Sequence, residues 1–194
     1  MNTELSNFKH YINNLVSMDD STFELAKEFL KIERIAKGDD FITQGKVCNK
    51  IAFIISGLLK IYYLKDGNHV NTCFCAENSI ASSFESFTNQ TVSQESIEAL
   101  EDSTLIVISK SALDKLYQLH SKWQEVGHKM VEKECVRLSA RVQTLGFDSA
   151  LEKYKALIEN QPHIIQRVPI QDIASYLGVS RETLSRIRSK IVKH

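Results

Sequence analysis

Between residues 32 and 108 the hydrophobic positions come in short bursts separated by turn-forming residues. The bursts include IAFII, LLKIYYL, TCFCA and STLIVI, and the turn signals between them include Lys37-Gly38-Asp39, Ser56-Gly57 and Asp66-Gly67. Short apolar runs bounded by Gly, Asp and Asn are typical of strands, and a series of them favours a sandwich or roll. Ahead of them, FKHYINNL and STFELAKEFL have the spacing of amphipathic helices. The pattern predicts an antiparallel β-roll preceded by two short helices.

A helical period replaces the strand pattern at Ser111, where Ser-x-x-Asp predicts a capping box with Asp114. Two runs of apolar residues follow, each spaced three and four apart and offset by one residue: Leu116, Leu119, Trp123, Val126 and Met130, then Val131, Cys135, Leu138, Val142 and Leu145. A helix over 111–146 is longer than a small roll covers. We therefore predict that part of the stripe pairs with a second copy of the chain, and we assign the first run to that dimer surface. The open alternative is that the stripe packs on the roll.

The C-terminal segment has the pattern of two short helices joined by a tight turn. In VPIQDIASYLGVSRETLSRIRSKI, apolar residues fall on one face of each helix: Ile173, Ala174 and Leu177 in the first, Leu184, Ile187 and Ile191 in the second. Gly178 lies in the turn and Ser180 caps the second helix. These offsets predict a helix-turn-helix. Only HIIQRVP separates it from a preceding helix, ALEKYKALIE, that starts at Asp148 or Ser149, so any wing beside the motif is minimal.

Charge is unevenly distributed although the chain is neutral overall, with 24 basic and 24 acidic residues. Residues 1–110 hold 10 Lys and Arg against 15 Asp and Glu, whereas residues 161–194 hold 6 against 2. A basic end on an acidic body suggests that the end meets a polyanion. No apolar run suits a membrane span or a secretion signal, so we expect a cytoplasmic protein without membrane contact.

Candidate chemistry outside this basic end is sparse. Four cysteines fit free thiols in a reducing compartment: Cys48, Cys73, Cys75 and Cys135. The CFC pair lacks further clustered Cys or His, so we expect no metal site, although a thiol switch stays open. Glycine-rich phosphate loops, HExxH and GxSxG are missing, and we expect neither an enzyme nor a bound cofactor.

The exposed face of the last helix suits duplex DNA. With its apolar residues facing inward, the opposite face presents Arg181, Glu182, Ser185 and Arg186. Arginine can pair with guanine O6 and N7, and glutamate can accept from the cytosine amine, so these four are the predicted base readers. Residues at the edges are predicted to contact phosphates: Ser180, Thr183, Arg188 and Lys190, with Lys193 in the tail. The open alternative for Glu182 is that it complements the positive helix N-terminus.

The GVSRETLSRIR segment resembles the recognition element of the Crp/Fnr superfamily of bacterial transcription regulators. Further back, Lys37-Gly38-Asp39, the stretch IISG with LLKIYY, and Asp66-Gly67 are similar to that family's cyclic-nucleotide-binding-like roll. The resemblance implies an α+β fold with three parts: a sensor roll (double-stranded β-helix) over 1–110, a dimerisation helix over 111–146, and a (winged) helix-turn-helix domain over 147–194. It also implies a homodimer that acts on palindromic double-stranded DNA, with RNA polymerase as a further partner.

The sensor departs from the family's cyclic-AMP pattern. In the resemblance, Ser82-Ser83 stand where a Gly-Glu pair binds the ribose, and Ser93-Gln94 stand where an Arg-Ser pair binds the cyclic phosphate. The charged ligand groups are therefore missing from this degenerate effector pocket, and Glu85 and Glu95 lie nearby. An anion would lose its charge-assisted partner, so we expect either no effector or an unidentified small molecule other than cyclic AMP. The alternative function is a small-molecule or redox sensor that signals mainly through protein contacts.

Overall fold

The computed structural model describes residues 3–192, the last of them in backbone only. Helices come first, the strands follow, and helices form the C-terminal part, in the order that the hydrophobic pattern predicts. The first part contains two helices, a short 3-10 helix at Lys27–Phe29, and the strands of the roll with one inserted helix. These elements are α1 (Thr3–Leu15), α2 (Asp20–Ala26), β1 (Lys31–Ile35), β2 (Asp40–Ile42), β3 (Lys50–Ser56), β4 (Leu59–Lys65), β5 (Asn68–Cys75), β6 (Ile80–Ala81), α3 (Phe84–Asn89), β7 (Glu95–Ala99) and β8 (Ser103–Ser109).

Helices form the remainder of the described chain: α4 (Lys110–Leu119), α5 (Ser121–Phe147), α6 (Ala150–Asn160), α7 (Pro162–Arg167), α8 (Ile170–Leu177) and α9 (Arg181–Val192). The helix predicted to start at Asp148 or Ser149 is α6, and Ser149 caps it in a capping box with Glu152. Residues 148–192 contain helices and their connections, without wing strands. None of the helices within 3–192 is long and apolar enough to span a bilayer.

The strands form two four-stranded sheets, in the orders β1-β8-β3-β6 and β2-β7-β4-β5. In the first sheet, β8 pairs antiparallel with β1 and with β3, so that Val107 lies between Lys31 and Ala52. In the second sheet, β2 pairs antiparallel with β7 at Ile42 and Ile97. The predicted antiparallel roll in an α+β fold is therefore confirmed.

By its internal contacts, the described chain divides into two compact units: residues 3–61 with 75–133, and residues 62–74 with 134–192. The first unit contains most of the roll, the N-terminal helices and the start of α5. The second contains most of the β4–β5 hairpin, the rest of α5 and the helices α6 to α9. The predicted boundaries at residues 110 and 146 stay predictions.

The core of the first unit is built from the N-terminal helices, the roll and the start of α5. Phe8, Ile12, Phe23 and Phe53 are buried together with side chains from α4 and α5. Trp123 Nε1 donates a buried hydrogen bond to the Thr22 carbonyl at 3.1 Å, which gives its one polar atom a partner. The N-terminal helices thus pack between the roll and the start of α5.

The predicted continuous helix from Ser111 is wrong, because the chain leaves helical geometry at His120. Ser109, and not Ser111, caps α4 by accepting from the Ala112 N–H at 3.2 Å. His120 is extended, and its Nδ1 accepts from the Lys122 N–H at 3.3 Å, so the imidazole caps one of the unpaired N–H groups at the start of α5. The apolar period continues across this break, so the pattern gives no sign of it.

Gly57 has a left-handed backbone conformation and lies close to Ser103, so we expect it to be the glycine of the roll that tolerates substitution least. Its φ is +106°, and a Cβ would lie 2.7 Å from Ser103 Cα; Gly67 has φ +75° with nothing within 4 Å of a Cβ. We expect Gly57→Ala to lower the free energy of unfolding by roughly 3 kcal/mol or more, and Gly67→Ala by about 1 kcal/mol. Urea unfolding measures both. Equal losses would mean that the approach to Ser103 contributes nothing.

Candidate nucleic-acid interface and sensor pocket

Helices α8 and α9 form the predicted helix-turn-helix. Ile173, Ala174 and Leu177 of α8 are buried, as is Leu184 of α9. Gly178 adopts φ +70°, a conformation that glycine accepts without cost, and its N–H satisfies the end of α8. The turn therefore joins the two helices at the residue the sequence indicates.

The N-terminus of α9 is capped as predicted. Ser180 Oγ accepts from the Thr183 N–H at 3.2 Å, and its hydroxyl lies 3.1 Å from the Thr183 hydroxyl. The pKa of Glu182 is lowered, first by a hydrogen bond from its own backbone N–H and then by one from Ser180, with Arg181 and Arg186 adding smaller effects. Its carboxylate is therefore charged at the leading end of the helix, beside the positive N-terminus.

The structure brings the four predicted base readers together on one open face. Arg181, Glu182, Ser185 and Arg186 are all exposed and line one groove on α9. Arg186 Nε donates weakly to the Glu182 carbonyl at 3.4 Å, which leaves most donors of its guanidinium directed outward. Two arginines and a carboxylate on one helix face can hydrogen-bond to base edges in a major groove.

The residues predicted to contact phosphate lie around this face. Arg188 and Lys190 are exposed, Ser180 is exposed at the N-terminus of α9, and Thr183 is half-buried. Lys190 also lines a second groove with Ser185 and Arg186. Lys193 lies outside the described residues. Cations flanking a polar reading face suit a duplex, whose phosphates border the groove on both sides.

The dimer surface predicted from the first apolar run needs correction. Leu116, Trp123 and Val126 are buried in the core of the first unit, and Met130 packs against the same cluster. Only Leu119 of that run is exposed, at 60%. The spacing alone could not separate the two uses of an apolar stripe, because a helix that docks on its own roll and a helix that dimerises show the same period.

The second apolar run is the one that remains uncovered in the described chain. Val131, Leu138, Val142 and Leu145 are 47–68% exposed, and Cys135, between them in the repeat, is also exposed. Four of these five residues, all except Val131, belong to the second unit, together with α9. We call these five residues the α5 stripe. Contiguous exposed apolar residues at this spacing are typical of an interaction surface.

Three of the four predicted pocket residues lie together and are satisfied by protein groups. Ser82, Ser83 and Ser93 are buried, whereas Gln94 is exposed. The Ser93 hydroxyl lies 2.9 Å from the Ser83 hydroxyl and 2.6 Å from the Glu95 carbonyl. Ser82 Oγ donates to the Lys50 carbonyl at 3.1 Å. Neutral hydroxyls that already bind one another and the backbone offer a phosphate no charge-assisted partner.

The buried polar groups around this pocket include some that the sequence pattern did not reveal. The Cys48 N–H donates to Ser86 Oγ at 2.8 Å, and the Cys48 thiol lies 3.4 Å from the Ser82 hydroxyl. Cys48, Cys73 and Cys75 are buried free thiols, whereas Cys135 is exposed. Among the residues that are described, no group of three or more His, Cys, Asp or Glu could hold a metal ion.

Comparison with known proteins agrees with this architecture. Residues 32–120 match the cyclic nucleotide-binding domain family. FixK2 from Bradyrhizobium japonicum is 17% identical and superposes with a TM-score of 0.70, over 84% of this chain and 85% of its own. A protein from Eubacterium rectale described as a regulator of the Crp/Fnr family is also 17% identical, with a TM-score of 0.70 over 91% of this chain and 85% of its own. The chain has the Crp/Fnr fold.

A third Crp/Fnr-like structure extends the comparison to a regulator whose effector is named. CLP from Xanthomonas campestris, described as a global regulator responsive to c-di-GMP, is 17% identical with a TM-score of 0.69 over 90% of this chain and 92% of its own. No curated protein sequence matches the chain significantly. The Crp/Fnr fold is thus shown by structure, at an identity too low to carry over an effector.

Within this Crp/Fnr fold, one group of residues in the second unit escaped the sequence analysis. Asn71 and Phe74 of the hairpin contact Asp172, Ser175 and Tyr176 of α8. Arg141 of α5 contacts Tyr176 as well. Asn71 and Asp172 are about a hundred positions apart in the chain, and no local pattern links them. The strand sequence NHVNTCFC mixes polar and apolar residues around Asn71, so the sequence gives no signal that this side chain is buried.

Proposed function

We propose that the chain is a sequence-specific DNA-binding transcription regulator that acts as a homodimer on inverted repeats. The observation that carries this proposal is the exposed face of α9, where Arg181, Glu182, Ser185 and Arg186 line one groove. A helix that bound only phosphates would gain nothing from an ionised glutamate in that face, since the carboxylate is repelled by the DNA backbone. The mixed charge therefore supports base readout.

In this proposal each arginine of the face pairs with a guanine and Glu182 accepts from a cytosine amine. Arg188, Lys190, Ser180 and Thr183 set the register by binding phosphates without reading sequence. In this proposal the exposed face of α9 determines the sequence preference. The flanking phosphate-binding residues contribute most of the salt-dependent affinity.

Dimerisation in this proposal uses the α5 stripe and not the first apolar run. Pairing two copies through Cys135, Leu138, Val142 and Leu145 would cover exposed apolar side chains that lie in the same unit as α9. A two-fold pair of reading helices suits half-sites about one turn, ~34 Å, apart. The operator is therefore expected to be an inverted repeat.

The roll in this proposal does not bind cyclic AMP through the usual charged groups. Ser83 and Ser93 are hydrogen-bonded to each other at 2.9 Å, and Gln94 is exposed. A cyclic phosphate would have to displace these bonds and would gain no cation in return. An effector of a different chemistry, or regulation without an effector, is compatible with this pocket.

Two arginines of α9 provide a matched test of base readout. On a duplex recovered by selection, we expect Arg186→Ala to cost about 1–3 kcal/mol and to relax the preference at one base position. Arg188→Ala should weaken selected and scrambled duplexes equally and reduce the salt slope by about one. Fluorescence anisotropy at several salt concentrations measures both. If Arg186→Ala also weakened both duplexes equally, base readout by this face would be refuted.

A further inference from the structure

One further exposed side chain lies on the same face of α9 as the predicted base readers. Ser189 follows Glu182 by seven residues and Ser185 by four, so the three side chains fall on one side of the helix. Ser189 is exposed, and it lines the second groove of α9 together with Arg186 and Lys190. Its position therefore gives it access to the same ligand as the four predicted base readers.

The hydroxyl proton of Ser189 is already used within the helix. Its Oγ donates to the Ser185 carbonyl, one turn earlier, at 3.1 Å. A carbonyl oxygen can only accept, so the serine hydroxyl is the donor in this bond. The Ser189 oxygen keeps its lone pairs, and because the residue is exposed they can accept a hydrogen bond from a group outside the chain. The bond to Ser185 thus makes Ser189 an acceptor toward a ligand.

Ser185, one turn earlier on the same face, lacks this restriction. Its hydroxyl has no hydrogen-bond partner within residues 3–192, so it can turn its proton toward a ligand or away from it. A hydroxyl of that kind pairs with base donors and base acceptors alike. Two serines of one face are therefore expected to differ in how strongly they discriminate between bases.

A side chain that accepts but does not donate is a poor partner for the phosphate backbone. Phosphate oxygens are acceptors and bind groups that supply a proton. In the major groove, protons are supplied by the N6 amine of adenine and the N4 amine of cytosine, whereas guanine and thymine present acceptor oxygens there. The hydrogen-bonding state of Ser189 therefore matches an amine-bearing base and not a phosphate.

The short side chains around Ser189 make a base contact sterically accessible. Ser185 and Ser189 lie one turn apart, and the longer side chains of Arg186 and Lys190 line the same groove. The major groove admits a whole α-helix, and where the side chains are short the helix backbone can approach the base edges closely. A serine hydroxyl can then reach a base that a longer side chain would contact from further away.

We propose that Ser189 is a fifth base-reading residue, which accepts a hydrogen bond from the exocyclic amine of an adenine or a cytosine. This assignment rests on the proposed function, because it adds one base contact to the same helix face. Glu182 is also an acceptor, and seven residues of helix separate it from Ser189 by about 10 Å. At ~3.4 Å per base pair, each half-site should contain two amine-bearing bases about three base pairs apart.

Removing the acceptor and the amine separately tests this contact on a duplex selected by the original chain. Ser189→Ala should weaken that duplex about five- to ten-fold and abolish the preference for adenine or cytosine at one position. Replacing that base by its analogue without the amine, purine for adenine or 2-pyrimidinone for cytosine, should weaken the original chain by a similar factor and leave the affinity of Ser189→Ala unchanged. Fluorescence anisotropy measures the four affinities. Alanine is a better helix former than serine, so α9 should be retained in the variant.

Three further variants are matched controls for Ser189→Ala. Ser189→Thr keeps a hydroxyl that can bond the carbonyl one turn earlier, and should keep the preference. Ser185→Ala removes the other serine hydroxyl of the groove and should change the preference for amine-bearing bases by less than about two-fold. Lys190→Ala removes a predicted phosphate contact and should weaken selected and scrambled duplexes equally. Equal loss of the amine preference in Ser185→Ala and Ser189→Ala would contradict the assignment to Ser189.

Selection by the original chain separates the failure of the Ser189 contact from the failure of the proposed function. Identical base preferences in the original chain and in Ser189→Ala would overturn the role of Ser189 while the sequence-specific regulator stood. A preference for guanine or thymine at the position lost in Ser189→Ala would mean that the hydroxyl donates, which would overturn the acceptor assignment. If the original chain selected no duplex, the proposed function would fail and the base contact of Ser189 with it.

Discussion

Replacing Leu138 and Val142 together by glutamate should convert the protein to monomers and weaken binding to a selected inverted repeat by at least about 100-fold. Val142 is 68% exposed and Leu138 is 48% exposed in the single chain, so the change removes little from the core. In a paired α5 stripe, each glutamate would meet its own copy in an apolar seam. Sedimentation gives the mass, and titration against the duplex gives the affinity.

The matched control adds the same two charges to the same helix outside the stripe. Val136 is 71% exposed, and Gln143, seven residues on, is also exposed; both follow a stripe residue by one position. A step of one residue turns a side chain by about 100° around the helix, away from the seam. Val136→Glu with Gln143→Glu should therefore stay dimeric. Monomers from both double variants, or from neither, would contradict the assignment of the stripe.

Trp123→Ala should destabilise the fold by about 3–5 kcal/mol and leave the α5 stripe intact. The indole is 3% exposed, packs 6.1 Å from the Phe23 ring centroid to centroid, and loses its hydrogen bond to Thr22 on truncation. Leu119→Ala, at a position 60% exposed, should change the free energy of unfolding by less than about 0.5 kcal/mol. Chemical unfolding compares the two variants, and sedimentation at low denaturant checks their mass.

The outcome of this comparison decides between two uses of the first apolar run. If Trp123→Ala gave stable monomers, that run would form the dimer surface after all, and its burial in the core would be irrelevant to assembly. A large loss of stability with the dimer retained in the folded fraction supports the core assignment. The Leu138→Glu/Val142→Glu variant and its control outside the α5 stripe then report on assembly alone.

The strands and the helix-turn-helix could be predicted because each depends on local spacing. Gly178, Ser180 and Leu184 fulfil their roles within one turn of their own helices, and the strand bursts are bounded by turn residues that need no distant partner. Local chemistry was sufficient for these parts.

The remaining features depend on partners far away in the chain. Whether Trp123 faces a second copy or Thr22 and Phe23 cannot be determined from the spacing of α5, since both surfaces are apolar. The break at His120 depends on an imidazole that caps the following helix, while the hydrophobic period continues through it. The contact of Asn71 with Asp172 joins two segments whose sequences show no common pattern.

The pocket illustrates the difference between a missing motif and a filled site. The sequence indicates that the charged cyclic-nucleotide groups are replaced, but it does not indicate what the replacements do. In the structure Ser83 and Ser93 bind each other, and Ser82 binds the Lys50 carbonyl. Each of these hydroxyls therefore has a hydrogen-bond partner within the protein, which explains how three polar side chains are accommodated at a buried site.

The central claim, a homodimer that reads DNA through α9, is tested most directly by selection from a random duplex pool. The full chain is used without added effector at about 0.15 M salt, where unspecific phosphate binding is weakened. We predict enrichment of an inverted repeat with half-sites about one helical turn apart, lost in the Leu138→Glu/Val142→Glu variant. Recovery of no preferred sequence, or of a single half-site without symmetry, would contradict the account.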